Sequence, residues 1–368
     1  MKKYSFILLT SALVLCSCGT KTVDYDAQAS ELEENIFTMD THNHVDVAMS
    51  ADEMPSPDAD LKASMQKAGM DGIVMTFAVD YVAMGPNASN VKYDAWARFN
   101  TALDEQDSIL KRSGISLVTT GDELTEKIEK KLPVVIQSVE GAHFIEGDTT
   151  RIEAAYKRGL RILDLFHDTD ADPALGDVYT NELKYGGLTE IGAATIRECE
   201  RLGILVDLAH ADDNTVRGAL KVATKPIMIS HTGLNTQLGN NEKLAQIMLP
   251  RLISKELAKE VADAGGLIGV WPHLAFTAEE YAANIKAMVD VVGIDHVTIG
   301  TDTKITPELP MGNMPPKEVK GNNHVWEDEP TSFYHATIRE LLKQGFSEDD
   351  ITKICGGNFV RLFSETVK

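Results

Sequence analysis

The chain has 368 residues, of which 43% are hydrophobic and 25% charged, a balance and length that suit one large α/β domain or two smaller ones. Its 35 basic and 56 acidic residues give a formal charge of -21, which argues against nucleic acid as a partner, because an acidic surface repels phosphate. Of the four cysteines, Cys16 and Cys18 lie at the extreme N-terminus, while Cys199 and Cys355 fall in helical or helix-flanking stretches. No disulfide framework is indicated.

The chain opens on Lys2 and Lys3 and an apolar stretch from Phe6 to Leu15, too short to span a bilayer and typical of an export signal. The following "LCSCG" sets Cys18 after a small residue, as in a bacterial lipoprotein signal whose lipidated first residue would be Cys18; an ordinary cleaved signal is the alternative. Residues 1–18 are therefore expected to be a signal segment, 19–30 a polar flexible tether, and 31–368 a single domain. On this reading the protein is exported and meets a bacterial membrane only through its lipid anchor, for which one acyl chain alone binds weakly.

From residue 36 onward, short apolar runs alternate with longer helical patterns. The predicted strands are "NIFTMD", "GIVMTFA", "PVVIQSV", "RILDLF", "GILVDLA", "PIMIS", "GLIGV" and "HVTIG". They are rich in Val and Ile and lack strict polar alternation, as parallel strands buried on both faces do. Between them run amphipathic stretches such as "GLTEIGAATIRECERLG" and "SKELAKEVADAGG"; in the second, Leu257, Val261 and Ala264 recur at helical spacing before the Gly265–Gly266 stop. The region Met84–Gly121 reads as a helical excursion between the second and third strands. Eight strand–helix units in one domain predict an α/β fold of the (β/α)8 barrel type.

In such a barrel the residues just after each strand gather at one end. The first run leads into His42 and His44, the third into Glu140, the fourth into His167, the fifth into His210, the sixth into His231 and the eighth into Asp302. Four separate strands thus end in histidine in a chain with only 10, which makes chance alignment a poor explanation. Imidazole and carboxylate suit Zn²⁺ or a related divalent ion, and such a set holds two ions if one carboxylate bridges them. Glu140 stands between two groups of histidines and is the natural bridge. Asp302 is a candidate to shuttle the proton of an attacking water, and His167 to donate to an oxyanion. This chemistry is amide or ester hydrolysis.

The blocks "MDTHNH", "VEGAH", "GLRILDLFH", "GLTEIGAATIRECERLGILVDLAH", "PIMISHT", "PRLISKELAKEVADAGGLIGV", "GIDHVTIGTD" and "ITKICGGNFVRLF" resemble the membrane (renal-type) dipeptidase family in order and spacing, from about Phe37 to Phe363. The resemblance implies a zinc-dependent dipeptidase on an amidohydrolase-type barrel, cleaving dipeptides and often accepting a D-residue at the C-terminal position. It implies two zinc ions bridged by Glu140, with His210 and His231 as further ligands, His167 contacting the intermediate and Asp302 as the acid/base group. It also implies that Arg251, in a Pro-Arg pair before a helix, holds the free carboxylate of the substrate, a task suited to a planar guanidinium. Family members are often homodimers, although no stretch here defines an interface.

Three departures stand out. The family's first strand usually ends His-x-Asp; keeping its spacing makes the ligands His42 and His44, whereas sliding by two makes them His44 and Asp46. The first register is favoured. The loop "TGLNTQLGNNEKLAQIML" before Arg251 is longer than usual, and "GTDTKI" replaces a common second Asp and Gly. His143 and Asp207 are read as structural or supporting groups. Competing readings are an amidase or lactonase of the same barrel class, from which Arg251 discriminates, and a non-catalytic ligand-binding lipoprotein.

Overall fold

The computed structural model describes residues 23–50, 53, 59–80, 94–306, 326 and 329–367; the signal segment expected at 1–18, with Cys18, lies outside the described residues. Eight parallel strands form the barrel: β1 (Met39–His44), β2 (Gly72–Thr76), β3 (Val134–Glu140), β4 (Leu160–Asp164), β5 (Leu205–Asp207), β6 (Met228–Thr232), β7 (Leu267–Val270) and β8 (Val297–Ile299). Each pairs with the next, and β1 pairs with both β2 and β8, which closes the sheet. The expected (β/α)8 barrel is the fold. A short β9 (Thr303–Lys304) follows and pairs with the end of β1, setting Asn43 against Thr303 and His44 against Lys304.

The continuous apolar character of the strands has a direct cause in packing. Val74, Val134, Ile136, Ile162, Leu205 and Met228 belong to an inner core completed by Phe359, Leu362 and Phe363 of the C-terminal helix Asn358–Thr366. Their neighbours Ile73, Met75 and Val135 pack into a second core with the surrounding helices. Successive side chains of a strand point to opposite faces, and here both faces are buried. Between β2 and β3 the chain forms the helices Ala95–Ser113 and Gly121–Glu129; of the excursion expected over 84–121, the first helix is the described part, residues 84–93 lie outside the described residues, and the second helix begins where the expected region ends. The helix Lys255–Asp263 buries Leu257 and Val261, but Ala264 falls just past its end and is exposed.

Two expectations need correction. The flexible tether at 19–30 overlaps a helix, Tyr25–Asn35. Asp24 caps it by accepting from the Ala27 N–H at 3.0 Å, a common helix-start device. Ala29 and Leu32 are buried, and Asp26 lies within ion-pairing distance of Arg339 and His335, on the helix Phe333–Lys343. Polar composition concealed a segment held by a narrow apolar face and distant charges. The first strand also starts later than the "NIFTMD" run suggested: Asn35 still belongs to the helix, and pairing begins only at Met39.

Cys199 and Cys355 are buried free thiols, as expected. Among the described residues no helix is long and apolar enough to cross a membrane.

Candidate functional site

Glu140, the last residue of β3, is buried at the centre of a ring of imidazoles. Its Oε1 lies 2.9 Å from His210 Nε2, 3.4 Å from His42 Nε2 and 3.7 Å from His231 Nε2. Its Oε2 lies 3.3 Å from His167 Nε2 and 3.5 Å from His44 Nε2. Asp302 Oδ1 is 3.2 Å from His44 Nε2 and 4.0 Å from His42 Nε2. All the strand-end residues named from sequence therefore meet at one place. Arg251 stands apart from this ring, on the wall of the adjoining pocket.

The local backbone explains how they are delivered. In β1 the register shifts between Asp40 and Asn43, and alternation aims His42 and His44 the same way. Asp46 faces elsewhere: its carboxylate takes a hydrogen bond from Lys304 Nζ at 3.0 Å. His210 and Asp302 adopt φ values of 65° and 50°, a left-handed conformation that non-glycine residues rarely adopt and that concentrates at functional sites. Asp302 is pinned there by its N–H, which donates to the His42 carbonyl at 3.0 Å.

A shell of buried groups fixes the rings. Ser230 Oγ lies 3.2 Å from His42 Nδ1 and 2.9 Å from His231 Nδ1. Asp207, read from sequence as a packed or supporting group, accepts from the Ser230 N–H at 2.9 Å and from that of Ala209 at 3.1 Å. Asp40 accepts from Thr301 through both its N–H, at 2.9 Å, and its hydroxyl, at 2.7 Å, and so ties β1 to the segment that carries Asp302. Tyr179 OH is 2.6 Å from His210 Nδ1. His167 Nδ1 is bonded to Asp80, which also accepts from the Thr169 N–H at 3.1 Å. His143 Nε2 lies 3.1 Å from the Thr169 carbonyl, in keeping with a structural role. His42, His167, His210 and His231 thus present Nε2 to the centre, because a partner occupies or faces Nδ1.

The electrostatics follow from crowding charge in a dry place. Burial opposes ionisation of Glu140, yet the charges of His167, His42 and His210 hold its carboxyl well below the usual range. Burial likewise opposes charge on His42 and His167, but Glu140, with Asp302 for the first and Asp80 for the second, raises them to about 9 and about 10. Burial and the neighbouring His42 push His231 well down. Asp302 is held far below an ordinary carboxyl despite its burial, chiefly by His231, His44 and His273.

The donor set fits a pair of divalent ions. His42 Nε2 and both oxygens of Glu140 are buried with no hydrogen bond to satisfy them, although polar atoms so buried are normally paired. His210 Nε2 and His231 Nε2 face each other at 3.0 Å. Two of the groupings with ligand atoms within 4.8 Å of one another are His42, His44, Glu140 and Glu140, His167, His210, and they share Glu140. A third, His42, His231 and Asp302, shares His42 with the first.

A cavity of about 340 Å³ opens beside the ring, lined by His210, His231, Tyr179, Leu252, Ile253 and Arg251 among others. Its size suits a small ligand. Arg251 NH2 donates to both oxygens of Asp168, at 2.8 and 2.9 Å. Sequence reasoning did not single out Asp80, Asp168, Tyr179 or Ser230. Asp80 and Asp168 follow strand-end runs, so the rule that found the histidines would have found both; Tyr179 lies in a long loop that carries no such signal.

The profile of the membrane dipeptidase family, peptidase family M19, matches residues 26–368. Dipeptidase 3 of Homo sapiens is 26% identical over 284 residues, 73% of this chain and 52% of that protein; the chain spans about half the length of the curated relatives it matches. Among solved structures, the probable dipeptidase PvdM from Pseudomonas aeruginosa superposes with a TM-score of 0.72 at 16% identity, over 93% of this chain and 98% of the other. A metallo peptidase from Rhodobacter sphaeroides, liganded with a phosphinate mimic of the dipeptide L-Ala-D-Ala, superposes with a TM-score of 0.63 at 16% identity, over 90% of this chain and 99% of the other. The family profile covers nearly the whole chain and the barrel is shared end to end, so the protein belongs to the membrane dipeptidase family, peptidase family M19.

Proposed function

We propose that the protein is a zinc-dependent dipeptidase that hydrolyses L-L and L-D dipeptides. One observation carries this reading: Arg251 and the ring histidines His210 and His231 line the same small cavity, so a short ligand can touch a carboxylate anchor and the reacting centre together. Family membership and the dipeptide mimic bound to the Rhodobacter sphaeroides relative support the substrate class.

In this reading His42, His44, Glu140, His210 and His231 would hold two zinc ions, which would supply an activated water and a polarised carbonyl. The protein's own groups do the rest. Arg251 takes the C-terminal carboxylate and fixes the scissile bond's position. Asp302, held ionised, accepts a proton as the water oxygen bonds to the carbonyl carbon. It returns that proton to the leaving nitrogen when the C–N bond breaks, giving two amino acids. His167, whose Nδ1 side is fixed by Asp80, presents Nε2–H to the developing oxyanion.

We further propose, from the N-terminal sequence, that the protein is exported and lipid-anchored through Cys18, which would place a scavenging peptidase outside the cytoplasmic membrane.

The test is hydrolysis of L-Ala-L-Ala and L-Ala-D-Ala beside their N-acetylated and C-terminally amidated analogues, with zinc-loaded and chelator-stripped protein. Zinc-dependent cleavage that is lost when the C-terminal carboxylate is amidated is the expected result. Cleavage of blocked amides or lactones instead would overturn the substrate class and leave an amidase or lactonase. No zinc-dependent turnover of any of them would sink the enzymatic reading.

A further inference from the structure

Arg251 does not hang freely in the cavity. Its backbone is set by a single 3-10 turn, Leu249–Arg251, whose Arg251 carbonyl accepts from Thr232 Oγ1 at 2.9 Å. Its side chain is gripped by two further groups. Asp168 places both carboxylate oxygens on the single nitrogen NH2, and the guanidinium lies over the Tyr179 ring, 5.5 Å from its centroid. Among the described residues, Nε and NH1 of Arg251 make no hydrogen bond, so two faces of the fork remain for a ligand.

The same two groups reach the reacting centre. Tyr179 OH is bonded to His210 Nδ1, its ring stacks on that imidazole at 5.1 Å, and Asp168 Oδ1 lies 3.4 Å from the same nitrogen. Asp168 also directly follows His167, and its carbonyl accepts from Thr180 Oγ1 at 3.0 Å. The guanidinium is thus tied to His210 through two short side chains on separate attachments.

We propose that Asp168 and Tyr179 are positioning residues that hold Arg251 at a fixed distance from the His210 end of the centre, making the site a ruler for dipeptides with a free C-terminal carboxylate. This rests on the reading of Arg251 as the carboxylate anchor. Arginine's long side chain has many rotamers, and ordering it beforehand removes that entropy from the binding step. A fixed anchor also rejects a tripeptide, whose carboxylate falls one residue beyond the fork. An Asp168 that merely occupied the anchor would predict the opposite sign, since its removal would favour an incoming carboxylate.

The experiment compares wild type, Asp168→Ala and Asp168→Asn as zinc-loaded protein, with zinc content measured for each. For L-Ala-D-Ala, Asp168→Ala is expected to raise KM about ten-fold, the order of one charge-assisted hydrogen bond. The C-terminal amide should remain uncleaved by every variant, and discrimination against tri-alanine should shrink. Asp168→Asn, which keeps an acceptor for NH2, should recover part of the loss. A KM that falls or stays level for the free dipeptide overturns the ruler, and so does a rise that comes only with lost zinc. Phenylglyoxal labelling of Arg251, mapped by mass spectrometry, reads the clamp without turnover: faster labelling in Asp168→Ala supports it and unchanged labelling overturns it. If wild type shows no preference for free carboxylates while labelling still accelerates, the dipeptidase reading has failed and the clamp has not.

Discussion

His44 Nε2 stands 3.2 Å from Asp302 Oδ1, across 258 residues of chain. The pairing of β1 with β9 brings them together, since His44 lies opposite Lys304 and Asp302 occupies the bend just before it. His44 thus presents an imidazole to a carboxylate. On the proposed two-zinc reading, replacing His44 by alanine should lower bound metal from about two ions per chain to about one, because the ligand set loses a member. His44→Asp should keep both. Metal analysis after dialysis reads the result; full retention of zinc by His44→Ala would remove His44 from the ligand set.

Metal should also be a large part of this fold's stability. Glu140 is buried among imidazoles, and bound cations would satisfy its oxygens, which lack hydrogen bonds among the described residues. At about 100-fold excess over Kd a native-state ligand adds about 2.7 kcal/mol, which corresponds to a Tm shift of roughly 3–4 °C in a chain of this size. Differential scanning calorimetry with and without a chelator measures it. Glu140→Gln should lower zinc affinity and shrink that difference.

The loop that carries Tyr179 hangs on one carboxylate. Asp177 is buried and accepts from the N–H groups of Lys184 at 2.6 Å, Tyr185 at 3.0 Å and Gly187 at 2.8 Å. Burial opposes its charge, but these donors prevail and lower its pKa. A lowered folded pKa means stabilisation that is complete above the unfolded value, near 4, and is lost as pH falls through the folded one. Asp177→Asn should weaken the loop by about 1–3 kcal/mol at neutral pH. Amide exchange across 178–187 should accelerate in the variant at pH 7 and in wild type only in stronger acid; protected amides in the variant would refute this.

Two glycines guard the strand that carries His231. A Cβ at Gly269 or at Gly300 would lie 1.8 Å from the Ser230 carbonyl oxygen, which accepts from Thr41 Oγ1 at 3.1 Å. Backbone cannot yield there as a flexible side chain would. Gly269→Ala and Gly300→Ala should each cost at least about 3 kcal/mol, the upper range for overpacking, and both should lower zinc content by moving Ser230 and the rings it braces. Normal melting of either variant would show that the barrel wall is softer than its geometry suggests.

Much of this was legible in the chain. Strands buried on both faces declare themselves as apolar runs, and their final residues named the histidines, Glu140 and Asp302. The alternative pair His44 and Asp46 arose because strand alternation aims every second residue alike; what separates the registers is Lys304, which engages Asp46 from 258 residues away. The helix Tyr25–Asn35 was illegible for a similar reason. It buries only Ala29 and Leu32, too narrow a stripe to mark a helix, and its charges are matched by Arg339 and His335 on a distant helix. Tyr179 escaped notice because nothing local distinguishes a loop tyrosine that supports a histidine.

The seam between β1 and β8 has a consequence in time. A ribosome makes the residues of β1 first, yet one of its edges has no neighbour until β8 emerges, more than 250 residues later. Contacts so distant along the chain form slowly. His42 meets Asp302 only when that seam shuts, so a chain still under synthesis carries these side chains without the assembled centre. The centre of histidines and carboxylates comes into being as the last edge is sealed.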